Sequence, residues 1–182
     1  MELFAERGYD STTVAEIAAR AGLTERTFFR YFADKREVLF SGAGAVRQLL
    51  VDTVAGAPPS VGPMDAVTAA LEAVGARLQE RRAFARQRQR ILAANPELRE
   101  RELIKLASWA DALADALRGR GVGEPAAGIT GEVAVAVFRT AFESWVDADD
   151  RRDLSELIRA SFQELRAVTA EGRLSLTASQ SR

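Results

Sequence analysis

The sequence predicts an all-α fold, and three patterns carry that prediction. Apolar residues recur at three- and four-residue spacing along most of the chain, only 5 of 182 residues are Pro, and short Gly/Pro-rich stretches separate the periodic runs. The composition, 47% hydrophobic with a formal net charge of −1, is that of a folded chain with a well-buried core. No run approaches the roughly 18 unbroken apolar residues of a membrane helix, and Met1-Glu2-Leu3-Phe4 has neither a basic start nor an apolar signal core. A cytoplasmic protein with no membrane partner is therefore expected. The absence of both Cys and His removes disulfides, thiolate metal sites and the commonest acid–base group, so no catalytic residue, metal or cofactor is expected either.

The first well-marked element is Thr13 to Ala21, where Val14, Ile17, Ala18 and Ala21 make one apolar face. Thr13 and Glu16 have the spacing of a capping box, in which each side chain satisfies a backbone N–H at the helix start. Gly22 can adopt the left-handed backbone that stops this helix, and Leu23 can plug the angle that follows. Thr24 then caps a second short helix, with Phe28 and Phe32 on its inner face and Glu25, Arg26, Phe29 and Arg30 pointing away. Two short helices joined in this way form a helix-turn-helix.

Between Arg20 and Arg36 the chain carries Arg20, Arg26, Arg30, Lys35 and Arg36 against Glu25 and Asp34, a local positive excess in a nearly neutral protein. Thr27 and Tyr31 add neutral donors suited to phosphate oxygens. Read by spacing alone, this segment is either a DNA-binding surface or an ordinary helical hairpin with a solvated basic face.

The run LFAERGYDSTTVAEIAARAGLTERTFFRYFADKREVLF, residues 3 to 40, resembles the DNA-binding region of the TetR family of regulators. The shared features are Gly-Tyr before Thr-Thr, the Ile-Ala, the Ala-Gly turn, the Thr-x-x-Tyr/Phe and the Tyr-Phe-x-x-Lys. The resemblance implies a three-helix DNA-binding head over residues 1–43 and a helical bundle for ligand binding and dimerisation over 44–171; residues 172–182, rich in Ser, Thr, Arg and Gln, read by composition as a disordered tail. It implies that Thr13 meets phosphate, that Thr24 begins the recognition helix, that Glu25, Arg26, Thr27 and Phe29 face the major groove, and that Arg30, Tyr31 and Lys35 hold the DNA backbone. Arg26 is the best candidate for reading a base, because a guanidinium can bond guanine O6 and N7 together. Phe29 departs from the family, where Tyr is usual, so one phosphate bond is lost and apolar contact kept. Family members usually carry further, often basic residues ahead of this point; if such residues are missing here, the helix under Leu3 and Phe4 is shortened and phosphate contacts of an N-terminal arm are lost.

Beyond the head, Asp34 can cap a helix from Lys35 to Ala55 with Val38, Leu39, Val46, Leu49, Leu50 and Val54 as its stripe. Gly56 to Pro63 interrupts the chain. Met64, Val67, Leu71, Val74 and Leu78 begin an amphipathic helix that turns basic through Arg81, Arg82, Arg86, Arg88 and Arg90 before ending near Asn95-Pro96. Those arginines mark either a phosphate-bearing ligand or, as the favoured reading, surface paired with Glu72, Glu80, Glu97, Glu100 and Glu102. Leu98 to Leu117 is the next helix, ended by the turn-formers of 118–125. Two long helices follow, Ala126 to Val146 and Leu154 to Val168, whose stripes are more than a monomer buries easily. Ile129, Val133, Val137, Leu154, Leu157, Ile158, Phe162 and Leu165 are therefore expected at a homodimer interface, as a four-helix bundle.

The resemblance also implies a cavity among the middle helices for a small-molecule effector of unspecified identity. Phe84, Arg88, Trp109, Phe138, Phe142 and Trp145 are its candidate lining, although aromatics at helical spacing also serve as plain core. The function expected is a ligand-responsive transcriptional regulator, a repressor released from near-palindromic double-stranded operator DNA by its effector. The alternative is a helical protein–protein interaction module without specific DNA binding.

Overall fold

The computed structural model describes residues 1–147 and 152–178, with side chains described up to residue 170. These residues form α1 (Glu2–Arg7), α2 (Val14–Arg20), α3 (Glu25–Tyr31), α4 (Glu37–Phe40), α5 (Ala43–Gly56), α6 (Pro63–Gln79), α7 (Arg82–Ala94), α8 (Pro96–Gly119), α9 (Ala126–Asp147) and α10 (Leu154–Ala178), with no strand among them. The fold is all-α, as the periodicity predicts.

Local chemistry sets the ends of the first helices. Both halves of the Thr13–Glu16 capping box are present. Gly22 sits at φ 69, and α2 ends in the paired bonds of a glycine-stopped helix, with Leu23 N–H on Ala18 O at 2.8 Å and Gly22 N–H on Ala19 O at 3.1 Å. The Leu23 side chain stays 44% exposed, so Leu23 shapes the turn through its backbone and does not plug it.

Two expected helices are each divided. In place of one helix from Lys35 to Ala55, α4 stops at Ser41 and α5 restarts after Gly42, whose φ of 91 no β-carbon-bearing residue adopts easily. Residues 37–56 have the length and apolarity of a membrane-crossing helix. The break leaves α5 with 14 residues, about 21 Å at 1.5 Å per residue and short of the ~30 Å hydrocarbon layer. The second division falls at Glu80–Arg81, between α6 and α7. It brings the arginines of α7 to the end of α9: Arg82 Nε and Nη2 donate to Trp145 O at 3.0 and 2.6 Å, and Arg86 Nε donates to Val146 O at 2.7 Å. Cations suit a helix C-terminus, where carbonyls lack intrahelical partners. Of the expected acidic partners, Glu102 takes Arg88 at 2.6 Å, whereas Glu72 pairs with Arg159 of α10 at 2.9 Å.

The main core joins α5, α6, α8, α9 and α10 through residues such as Leu50, Leu71, Leu113, Phe138 and Trp145. Leu154, Ile158 and Phe162 are almost completely buried within this one chain, which corrects their assignment to a subunit interface: the inner face of α10 packs on α6 and α9 first. Ile129 is 59% exposed, and Val133, Val137, Leu157 and Leu165 are half-buried. Gly131 allows α9 to approach α8 closely, since a Cβ there would stand 2.5 Å from Ala110 O. A second, smaller cluster of Phe4, Tyr9, Leu39, Ile91, Leu92 and Leu98 fastens α1 and α4 to α7 and α8. The backbone of 172–178 continues α10, while 179–182 and the side chains from residue 171 on, where a disordered tail is expected, lie outside the described residues.

Candidate functional site

The outward face of α3 is the first candidate surface. Thr24 Oγ1 accepts from Thr27 N–H at 3.2 Å and lies 3.0 Å from the Thr27 hydroxyl, so the helix starts on a satisfied cap. Phe28 is buried, with its ring centroid 5.1 Å from Phe32, and this apolar pair turns the opposite side to solvent. Glu25, Arg26 and Arg30 are exposed there, with Phe29 at 54% and Tyr31 at 64%; Thr27 is half-buried. Arg30 Nη2 donates to Tyr31 Oη at 3.0 Å and its guanidinium lies over the Tyr31 ring at 4.8 Å. Among the described residues Arg26 has no protein partner.

Other members of the predicted basic cluster are engaged within the protein. Arg20 pairs with Glu2 and Glu6 of α1, each at 3.2 Å, and Arg36 Nε donates to Asp34 at 2.8 Å. Their ion pairs hold the Arg20 and Arg36 guanidinium pKa values up and the Asp34 carboxyl down. Lys35, expected to hold the DNA backbone, is engaged within the protein here. Its ammonium donates to the carbonyls of Tyr9, Asp10 and Thr12 at 2.7, 3.1 and 3.0 Å, and lies 4.4 Å from the Tyr9 ring centroid. Lys35 thus secures the loop between α1 and α2. Thr13 is also engaged, donating its N–H and hydroxyl to Glu16 at 2.9 and 3.1 Å. Beside Lys35, burial pushes the Tyr9 phenol up to about 12, helped by the nearby Glu97 carboxylate.

The second candidate is a cavity of about 670 Å3 between α4, α5, α6, α7, α8 and α9, within the range of small-molecule sites. Phe84, Arg88, Trp109, Phe138 and Phe142 line it, so five of the six predicted residues meet there. Trp145 is not in the lining; it is fully buried behind Phe142, with ring centroids 5.6 Å apart. Residue types make the cavity apolar at its aromatic wall and cationic elsewhere. Arg77, Arg81, Arg88, Arg99, Lys105 and Arg139 line it against only two carboxylates, Glu102 and Glu143.

One polar cluster at this cavity joins the body to the head. Arg88 Nε donates to Leu39 O of α4 at 2.7 Å and Nη2 to Glu102 Oε2 at 2.6 Å, with the guanidinium 4.9 Å from the Phe40 ring centroid. Lys105 Nζ donates to the other Glu102 oxygen at 2.6 Å and lies 4.8 Å from the Trp109 ring centroid. Burial opposes the Glu102 charge, but Lys105 and Arg88 together keep its carboxyl below the usual range. Burial pulls the Lys105 ammonium down to about 8, against the favourable field of Glu102. Glu102 and Lys105 are functional candidates that the sequence reading missed. Their signal was present, since Leu98, Glu102, Lys105, Trp109 and Leu113 follow one stripe of α8 and place two charges in otherwise core positions.

Comparison with known proteins adds three findings. The model for bacterial regulatory proteins of the tetR family matches residues 1–41, and that for the MftR C-terminal domain matches residues 61–170. The putative mycofactocin biosynthesis transcriptional regulator MftR of Mycobacterium tuberculosis is 30% identical over 168 residues, covering 89% of this chain and 83% of that protein. The regulator TcmR of Streptomyces glaucescens is 35% identical over 80 residues, 44% of this chain and 35% of its own length. Among solved structures, the repressor FadR of Thermus thermophilus, in complex with lauroyl-CoA, shares the fold at a TM-score of 0.58 and 21% identity, with 90% of this chain and 87% of that one covered. A regulator structure from Mesorhizobium loti matches at 0.55 and 25% identity, with 92% and 91% covered.

Proposed function

The chain belongs to the TetR family of bacterial transcriptional regulators, and from that premise we propose that it is a ligand-responsive repressor that reads operator DNA with α3. The observation that carries this reading is the α3 face itself. Thr24, Glu25, Arg26, Phe29, Arg30 and Tyr31 are all exposed, and the Phe28–Phe32 anchor orients them. Arg26 reads a base edge while Arg30 and Tyr31 contact phosphate; Thr27 and the Thr13 hydroxyl add contacts at the helix starts. Lys35 supports this surface from behind. Operator DNA is cytoplasmic in bacteria, so the protein acts there and performs no catalytic step.

Two copies place two α3 helices roughly 34–36 Å apart, the spacing of successive major grooves on a near-palindromic site. The outer faces of α9 and α10, with exposed Ile129 and half-buried Val133, Val137, Leu157 and Leu165, form the dimer contact. The chain divides after residue 43, beside the Gly42 break, into a DNA-binding head and a body for effector and dimer contacts. An effector in the cavity lies against Arg88, whose bond to the Leu39 carbonyl is a direct connection to the head. The effector releases DNA only if it binds the released arrangement of heads more tightly than the DNA-bound one.

The test is binding of the protein to a labelled operator duplex and to random duplex over a salt series. Neutralising several phosphates predicts a steep loss of affinity with salt, and Arg26→Ala is expected to cost about 1–3 kcal/mol at one base position and flatten the ranking of operator variants. No salt-dependent affinity for either duplex would instead favour a protein–protein interaction module.

A further inference from the structure

The effector cavity contains more positive charge than the protein itself balances, and the excess is sharpest where the walls are driest. Arg88, Glu102 and Lys105 have side chains only 12, 17 and 16% exposed, and together they hold two cations and one carboxylate. That carboxylate bridges the two cations, one oxygen to each. Lys105 has three N–H donors, and among the described residues only one has a side-chain acceptor, Glu102. The other charged residues at the cavity are Arg77, Arg81, Arg99 and Arg139, with Glu143 as the single further acid. Most of the remaining wall is apolar: Phe84, Trp109, Phe138 and Phe142 form a surface suited to a chain or ring system.

A buried charge is tolerated when it is paired and hydrogen-bonded, and an unmatched one favours whatever supplies its counter-charge. We propose that the cavity takes an amphipathic carboxylate, its apolar body against Trp109 and Phe138 and its carboxylate beside Lys105 and Arg88, completing the charge balance that Glu102 meets only by half. The arrangement already in place shows the chemistry, since Glu102 demonstrates that these two cations accept a carboxylate at 2.6 Å on each side. The lowered Lys105 pKa has the same origin, a cation whose burial its one acid partner does not fully offset. The Lys105 ammonium over the Trp109 ring makes tryptophan emission a local reporter. The inference rests on the effector reading of this cavity and goes further by naming the head group.

The experiment titrates the full-length free protein with decanoate, decanol, decyl phosphate and decyltrimethylammonium, followed by tryptophan emission. These probes share one apolar body and differ in head group. Decanoate is expected to bind about tenfold more tightly than decanol, the worth of one charge-assisted contact, with decyltrimethylammonium weakest. Lys105→Met should bring the decanoate-to-decanol ratio close to one, and Glu102→Gln should widen it by removing the competing carboxylate. If Lys105→Met does not fold, Glu102→Gln carries the test alone. Equal binding of decanoate and decanol by the unaltered protein, or a ratio that Glu102→Gln leaves unchanged or narrows, overturns the proposal, as does tighter binding of decyl phosphate than of decanoate. No DNA is present, so this failure is separate from that of the regulator reading, which the salt series on duplex DNA decides.

Discussion

The α3 surface and the cavity are both cationic, but their charges are held in opposite ways. On α3 the cations are solvated, and the partners that shape the helix lie within a few residues: Thr24 with Thr27, Phe28 with Phe32, Arg30 with Tyr31. In the cavity the driest arginine, Arg88, is arranged by distant partners, reaching Leu39 and Glu102. A water-facing surface can wait for phosphate at little cost, whereas a dry one must be nearly balanced before any ligand arrives. The head is therefore suited to a large polyanion outside the protein, and the body to a small anion within it.

The largest expected effect breaks the body and leaves the local structure of α3 alone. Gly131→Val places side-chain atoms against the Ala110 carbonyl, 2.5 Å from an added Cβ, and should cost about 3 kcal/mol or more through overpacking. A lowered urea midpoint would show it; an unchanged midpoint would mean that α8 and α9 are less closely apposed. Next, Lys35→Met removes the donor to three carbonyls and should cost about 1–3 kcal/mol. Thermal melting should drop while the salt slope of DNA binding holds; a shallower slope with unchanged melting would return Lys35 to phosphate contact. Thr24→Ala, which removes only the α3 cap, is expected to cost about 1 kcal/mol and to weaken DNA binding with no effect on cavity ligands.

The effects of pH run in opposite directions in the two regions. The Tyr9 phenol, pushed up to about 12 in the fold, keeps its proton after the unfolded chain has lost it, so its contribution is complete below about 10 and fades as pH rises toward 12. Lys105, pulled down to about 8, binds fewer protons folded than unfolded between there and the ordinary lysine value of about 10.4, so stability gained at that site increases with pH. Denaturation midpoints compared between the parent chain and Tyr9→Phe at high alkaline pH, and between the parent chain and Lys105→Met across pH 8–10, should reveal these opposed slopes. Equal slopes within either pair would remove that residue from the account.

Much of the head was legible because its determinants are local. A cap and its acceptor lie three residues apart, a glycine stop needs only Gly22, and the Phe28–Phe32 pair follows from helical spacing, so Thr13, Thr24 and the exposed α3 face were placed from the sequence. Phe84, Trp109, Phe138 and Phe142 share one cavity wall, as bulky aromatics near one another in a helical body tend to do. Leu23 and the Gly42 break were local departures; the other departures were non-local. Lys35 read as a surface cation because nothing nearby in sequence announces the Tyr9, Asp10 and Thr12 carbonyls, and Leu154, Ile158 and Phe162 read as surplus because their partners lie on α6 and α9.

The sequence by itself determined that the chain is helical, where most helices start and stop, and which face of α3 points outward, because these depend on spacing and on capping over three or four residues. Only the tertiary structure decided how the arginines of α7 are used, which stripe of α10 is internal and how Arg88, Glu102 and Lys105 come to share one cavity. Those outcomes depend on helices that meet across tens of residues, and on a break at Glu80–Arg81 that helical periodicity alone does not reveal.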